Sequence, residues 1–168
     1  MAISVRGCVF CDIVSGKAPS SKVYRDDHVI AFLDIQPINP GHLMIVPIAH
    51  VPDLAALREE DGRQLFAVAQ RVTSALYRSG LRCEGVNFFL ADGDVAGQEV
   101  FHVHLHLIPR YRRDGFGLKL PRRYYRRPPV RELDAAAEAI RNALGIEPSG
   151  QIPSLAMQRT KLDGKAAR

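Results

Sequence analysis

The chain has 168 residues, the size of a single domain, with 46% apolar and 24% charged residues, proportions that suit a water-soluble protein with a core. No apolar run reaches the roughly 20 residues of a membrane span, and residues 1–8 hold no apolar stretch of leader type, so the expectation is a cytoplasmic protein. Three cysteines are too few for a disulfide framework, and a net charge of +5 points to an anionic partner: nucleic acid or a phosphorylated metabolite.

In chain order, residues 8–15 suit a short helical turn carrying Cys8 and Cys11. Short strands follow at 23–24 and 29–33, with Asp26-Asp27 as the turn between them. The stretch 36–41 (Gln-Pro-Ile-Asn-Pro-Gly) is turn material, and the apolar run 42–48 follows at once. That order predicts an antiparallel hairpin with Asp34 and His42 near one end of the sheet. Between 59 and 79 the period changes, and Leu65, Val68, Ala69, Val72, Ala75 and Leu76 recur at helical spacing up to Gly80. Strands are expected at 86–90 and 100–108, the latter closed by Pro109, with the glycine-bearing acidic stretch 91–98 as the loop between them. A second helix is expected at 131–144, ended by Gly145. Residues 147–168 are polar and read as a loose tail, leaving 1–146 as one domain. The fold class is α+β, with a mainly antiparallel sheet of about five strands.

The informative segment is Phe101-His102-Val103-His104-Leu105-His106-Leu107-Ile108. On a strand, alternate side chains share a face, so the three histidines project together and Val103, Leu105 and Leu107 face a core. Three imidazoles on one face have no structural return, whereas they suit metal ligation or nucleophilic and acid–base chemistry near neutral pH. The loop ahead of them, with Gly93, Gly97 and Gln98, can bring donors to a phosphate.

The run from Gly97 to Ile108 resembles the signature of the histidine triad (HIT) superfamily of nucleotide hydrolases and transferases. The likeness extends upstream through Asp34, Pro40-Gly41-His42, Pro47 and His50. His106 stands where the uridylyltransferase branch carries glutamine, which argues for the hydrolase side. The resemblance implies a HIT-like fold, with a long helix after the first strands and a C-terminal helix. It implies that His104 attacks the α-phosphorus of a purine nucleotide, forms a nucleotidyl-histidine and releases a nucleoside monophosphate after hydrolysis. Dinucleoside polyphosphates, nucleotidyl sulfates and phosphoramidates are the expected substrates. By the same likeness His106 contacts phosphate or the leaving group, His42 joins the catalytic network, and Gln98 holds the phosphate. Asp34 binds the ribose hydroxyls, Val9, Phe10, Phe32 and Ile35 line the base pocket, and the protein forms a homodimer. Two positions depart from the pattern: Glu99 follows Gln98 where many members carry serine or threonine, and Ala91 replaces a common asparagine.

Cys8 and Cys11 have the gap of zinc ligands, and a pair alone binds zinc poorly. The resemblance completes the set with His50 and His102, a structural zinc site independent of the chemistry. Cys83 has no partner in sequence. The stretch 110–131 carries nine arginines and lysines with tyrosines and Phe116 interleaved and Asp114 as the one acid. It suits a solvated basic loop or a guide for polyphosphate leaving groups, with nucleic acid as the less favoured partner. Two other activities fit the same residues: nucleotidyl transfer to phosphate as acceptor, and nucleotide binding with weak turnover in a regulatory role.

Overall fold

The computed structural model describes residues 7–145, so the polar tail expected at 147–168 lies outside the described residues. The elements run α1 (Val9–Ser15), β1 (Lys22–Arg25), β2 (Val29–Leu33), β3 (Leu43–Pro47), α2 (Glu59–Leu76), β4 (Gly85–Phe89), β5 (Leu105–Arg110) and α3 (Val130–Leu144), with 3-10 turns at Asp94–Ala96 and Arg122–Tyr125. The described residues fall into two compact units, one ending at Phe116 and the other beginning at Gly117.

In the first unit the five strands make one antiparallel sheet in the order β1-β2-β3-β5-β4. The two central strands β2 and β3 are almost wholly buried, and their alternating side chains supply two different cores. Val29, Ala31, Leu43, Ile45, Leu105 and Leu107 meet the apolar stripe of α2, formed by Leu65, Val68, Ala69, Val72 and Leu76. Ile30, Phe32, Met44 and Val46 on the opposite face meet α1 through Phe10, Cys11, Ile13 and Val14. The α1 turn therefore sits on the same side of the sheet as His106, which pairs in register with Met44.

Gly41 turns the chain from β2 into β3 with φ of 88°. A Cβ there would lie 2.8 Å from Leu81 Cδ1 and 3.3 Å from Pro109 Cγ, so both conformation and space call for glycine. The turn returns His42 beside Asp34, whose N–H donates to the His42 carbonyl at 3.0 Å.

The strand expected at 100–108 is displaced toward the C-terminus. Residues 101–104 bend across the end of the sheet: the His102 N–H donates to the Val100 carbonyl at 2.8 Å, and the Val103 N–H to the Val51 carbonyl at 2.8 Å. Regular pairing begins at Leu105 and runs through Pro109 to Arg110. Proline is tolerated there because β3 pairing with β5 has already stopped at Leu43↔Leu107. The backbone of Arg110 bonds toward β4, where its carbonyl accepts from the Glu84 N–H. That of Pro109 faces the other way, and its carbonyl accepts from the Asn39 side chain at 2.8 Å.

The second unit holds a 3-10 turn over Arg122–Tyr125 and then α3, which ends at Gly145 in the left-handed conformation, as its sequence predicts. Among the described residues, no helix is long and apolar enough to cross a membrane.

Candidate active site and metal cluster

Each histidine of the row has a backbone or side-chain partner that fixes which ring nitrogen carries the proton. A carbonyl only accepts, so a ring nitrogen beside one must be N–H; a nitrogen receiving an amide N–H must hold a lone pair. Nδ1 of His104 lies 2.7 Å from the His102 carbonyl, which puts the proton on Nδ1 and leaves the lone pair on Nε2. In His102 the arrangement is reversed, because Nε2 lies 2.9 Å from the Pro47 carbonyl and Nδ1 is left as the lone pair. His42 receives the Ile38 N–H on Nδ1 at 3.2 Å, so its proton sits on Nε2 and points at Nδ1 of His106, 3.0 Å away. His106 then carries its own proton on Nε2.

His42 and His104 are buried, and the His106 side chain is 19% exposed. Burial first, then the neighbouring rings of His104 and His42, holds His106 down to about 4. Burial likewise lowers His42, against the opposing pull of the Asp34 carboxylate. Both rings are therefore neutral at pH 7. The centroids of His104 and His106 are 5.1 Å apart, and Phe10 packs edgewise on His104 at 5.2 Å. The His104 ring, with its lone pair on Nε2, thus neighbours the His106 ring, with its proton on Nε2, a pairing that can serve nucleophilic displacement at phosphorus.

Asp34 stands at the same edge. Its Oδ1 accepts from the Gln36 N–H at 2.8 Å, and Oδ2 lies 3.7 Å from Nδ1 of His42 and 3.9 Å from Nδ1 of His106. Phe10 and Phe32 are buried, with their rings 5.7 Å apart, whereas Val9 is half exposed and Ile35 is 92% exposed. Of the four apolar residues expected to form a base pocket, two are thus core and two are surface.

Gln98 bonds within its own loop and to Pro52. Its Oε1 accepts from the Gly93 N–H at 2.8 Å, and its Nε2 donates to the carbonyls of Pro52 at 2.7 Å and Val100 at 3.2 Å. Both ends of this buried amide are engaged, so it braces the loop 93–98 and is not offered to a phosphate as it stands. Glu99 is exposed, and Ala91 is buried.

The second cluster lies where α1 meets the bend before β5. Cys8 caps α1, its Sγ receiving the Cys11 N–H at 3.5 Å. Cys8 Sγ lies 3.5 Å from His102 Nδ1, and Cys11 Sγ lies 3.3 Å from His50 Nδ1 and 3.8 Å from His102 Nδ1. One ligating atom from each of the four lies within 4.8 Å of the others. In a tetrahedral zinc site with Zn–S of about 2.3 Å and Zn–N of about 2.05 Å, sulfur and nitrogen ligands stand about 3.6 Å apart. The spacing fits, and the lone pair of His102 faces the thiols because Pro47 takes its other nitrogen. Cys83 stands apart, with Sγ 3.3 Å from the Gly85 carbonyl.

The sequence reading missed Asn39 and gave Asp114 no role. Buried Asn39 donates to the Pro109 carbonyl and to Asp114 Oδ2 at 2.9 Å, while its own backbone carbonyl accepts the His42 N–H at 2.9 Å. Asp114 is gripped by Arg110, Nη2 to Oδ1 at 2.9 Å, and the bonds to that guanidinium and to backbone amides hold its carboxyl well below the usual range. Its standing as the one acid in a basic run was the available signal.

A family model for the HIT domain matches residues 15–113. The protein called hit of Bacillus subtilis is 41% identical over 111 residues, covering 66% of this chain and 76% of its own. A HIT-like protein of Mycobacterium tuberculosis is 37% identical over 138 residues, 82% of this chain and 92% of its own. Among solved structures, a HIT family protein of Bacillus anthracis aligns with a TM-score of 0.73 at 37% identity, covering 82% of this chain and 97% of that one. A zinc-bound histidine triad family protein of Mycobacterium smegmatis aligns at 0.62 and 36% identity over 95% of this chain and 97% of that one. A histidine triad nucleotide-binding protein of Candida albicans aligns at 0.73 and 29% identity over 83% and 98%.

Proposed function

Because this chain belongs to the HIT domain family, we propose that it hydrolyses nucleoside phosphate derivatives through a nucleotidyl intermediate on His104. The observation that carries this is the 2.7 Å hydrogen bond from His104 Nδ1 to the His102 carbonyl. Nε2 of His104 attacks the α-phosphorus, and the bond to the leaving oxygen breaks with its electron pair. Positive charge grows on the imidazole as the P–N bond forms, and the carbonyl already holds the N–H that becomes more acidic. The interaction is therefore stronger in the transition state than in the ground state. His106 offers Nε2–H to the leaving oxygen, and His42 keeps His106 in that tautomer by donating to its Nδ1. Water then attacks the phosphorus, the P–N pair returns to His104, and the water proton leaves to solvent. A phosphate leaving group or a sulfate needs no full protonation, so a neutral donor suffices.

In this reading Asp34 Oδ2 accepts from ribose hydroxyls, and Val9 and Ile35, whose side chains are exposed, cover a purine face. Cys8, Cys11, His50 and His102 would hold a structural zinc ion, which when bound would tie α1 to the bend that carries His104. Pairing of two chains falls on β4, an edge strand with Phe88 and Phe89 half exposed and Phe66 stacked on Phe88 at 6.3 Å.

The test is mass spectrometry of the protein incubated with a panel of adenine nucleotides, beside His104→Ala. Monophosphate release by the native chain, with at least about a thousandfold loss in the variant, is expected. Nucleotide bound but not cleaved by the native chain would refute the hydrolase reading.

A further inference from the structure

Asp34, His42 and His106 form a cluster separate from the cysteine site, with two imidazoles and one carboxylate as candidate ligands for a transition metal. One ligating atom from each lies within 4.8 Å of the other two. His42 Nε2 and His106 Nδ1 face each other at 3.0 Å, and Asp34 Oδ2 lies 3.9 Å from the same His106 nitrogen. In a tetrahedral zinc site with bonds of about 2.05 Å the ligands stand about 3.3 Å apart. The two observed separations bracket that value, so shifts of roughly half an ångström would seat an ion. The rings and the carboxylate are mostly buried, and the Gln36 N–H on the other oxygen of Asp34 turns Oδ2 inward. The one proton of His42 lies on Nε2, because Nδ1 receives the Ile38 N–H. An ion that takes Nε2 therefore moves that proton to Nδ1, which gives up the Ile38 N–H and turns to the Asp34 carboxylate 3.7 Å away.

We propose that Asp34, His42 and His106 form a second, inhibitory site for a borderline divalent ion of the zinc class, distinct from the structural site. Two imidazoles and one carboxylate suit Zn²⁺, Co²⁺, Ni²⁺ or Cu²⁺ and not Mg²⁺, which prefers oxygen. An ion there removes the proton that His42 gives to His106, takes the carboxylate that faces the ribose, and sets a positive charge beside the nucleophile His104. The ion therefore competes with nucleotide. This inference of inhibition rests on the hydrolase reading above, whereas the binding site stands on geometry alone.

The experiment is a Co²⁺ and Zn²⁺ titration of the full chain, followed by visible absorption and by competition with a chromophoric chelator. Two ions per chain are expected: a tight one with thiolate charge-transfer absorption and a weaker one without it. Asp34→Asn and His42→Ala each are to weaken only the second by at least about tenfold. In parallel, excess Zn²⁺ is to lower nucleotide turnover at least about tenfold over the concentrations that fill the second site, and a chelator to restore it. A single ion per chain, or a second one that persists in Asp34→Asn with unchanged affinity, overturns the site. A filled second site with undiminished turnover overturns the inhibition. A filled second site on a chain that cleaves no nucleotide supports the site and refutes the hydrolase reading instead.

Discussion

Truncating Asn39 tests whether the turn that presents His42 is held from behind. Asn39→Ala removes two hydrogen bonds, one to the Pro109 carbonyl at 2.8 Å and one to the Asp114 carboxylate at 2.9 Å. A bond to a neutral acceptor contributes about 1 kcal/mol and one to a charged acceptor about 2 kcal/mol. Relief of the frozen side chain returns about 0.5–1 kcal/mol. The net loss is about 2 kcal/mol, which for a chain of this size lowers Tm by about 4–8 °C. Asp114 keeps Arg110 and the Phe116 N–H, so the variant stays folded. The same residue's backbone carbonyl fixes the His42 N–H, so drift of the turn misaligns His42 with His106. Nucleotide turnover is expected to fall about tenfold in kcat with KM little changed, since the lost alignment acts on the reacting atoms. Asn39→Asp is expected to be worse than alanine at pH 7, because it sets two carboxylates side by side, and to recover toward it as pH falls. Thermal unfolding followed by circular dichroism, with steady-state kinetics on the same samples, gives both readouts. A Tm within 1 °C of the parent together with unchanged kcat would refute the bracing.

Partly exposed His28 and buried Asp61 set a pH window for stability. Hydrogen bonding to Asp61 raises His28, so its contribution is complete below about 6.5 and is lost as pH rises through the raised native value. Burial pushes Asp61 up but the bonds from Arg58 and His28 outweigh it and lower it, so its contribution is present above about 3.8 and is lost as pH falls. Urea midpoints measured across pH are therefore to decline above 6.5 in the parent, and that decline is to vanish in His28→Gln. Stripping the cysteine site with a strong chelator, or replacing Cys11 by serine, removes about 4 kcal/mol if zinc is carried at a thousand times its dissociation constant. Tm is then expected to fall by about 8–16 °C, and scanning calorimetry with and without chelator reads it directly.

The architecture was legible where periodicity is strong. The stripe Leu65, Val68, Ala69, Val72 and Leu76 located α2, and the run 29–33 is β2 without change. The histidine strand was misplaced because alternation of apolar and polar residues is the same whether or not a ladder partner exists. Phe101 to His104 alternate as a strand would, but the Val103 N–H goes to Val51, outside the sheet. The chemistry-bearing residues were visible by type and spacing, and the four-residue cysteine and histidine cluster does assemble. Gln98 could not be read, since its amide is satisfied by Pro52 and Gly93, one distant in sequence and one only in a folded loop. Asn39 was hidden for the same reason: its partners lie 70 and 75 positions along the chain.

What divides one row of identical side chains into different chemistries is the backbone around it. His102, His104 and His106 are the same residue type on one side of one segment, yet the carbonyl of Pro47 turns the lone pair of His102 toward the thiols and the carbonyl of His102 turns that of His104 outward. His106 receives its tautomer from His42, and His42 from the Ile38 N–H. The bend at 101–104 is what makes this possible: a regular strand would commit the His102 carbonyl to a neighbouring strand, whereas here it is left for the ring of His104. The departure from strand geometry is thus the feature that sets the tautomer of His104, and it is anchored on one side by the α1 cluster and on the other by β5. A change that straightens the bend, such as one freeing Val103 from Val51, is expected to cost activity before it costs the fold.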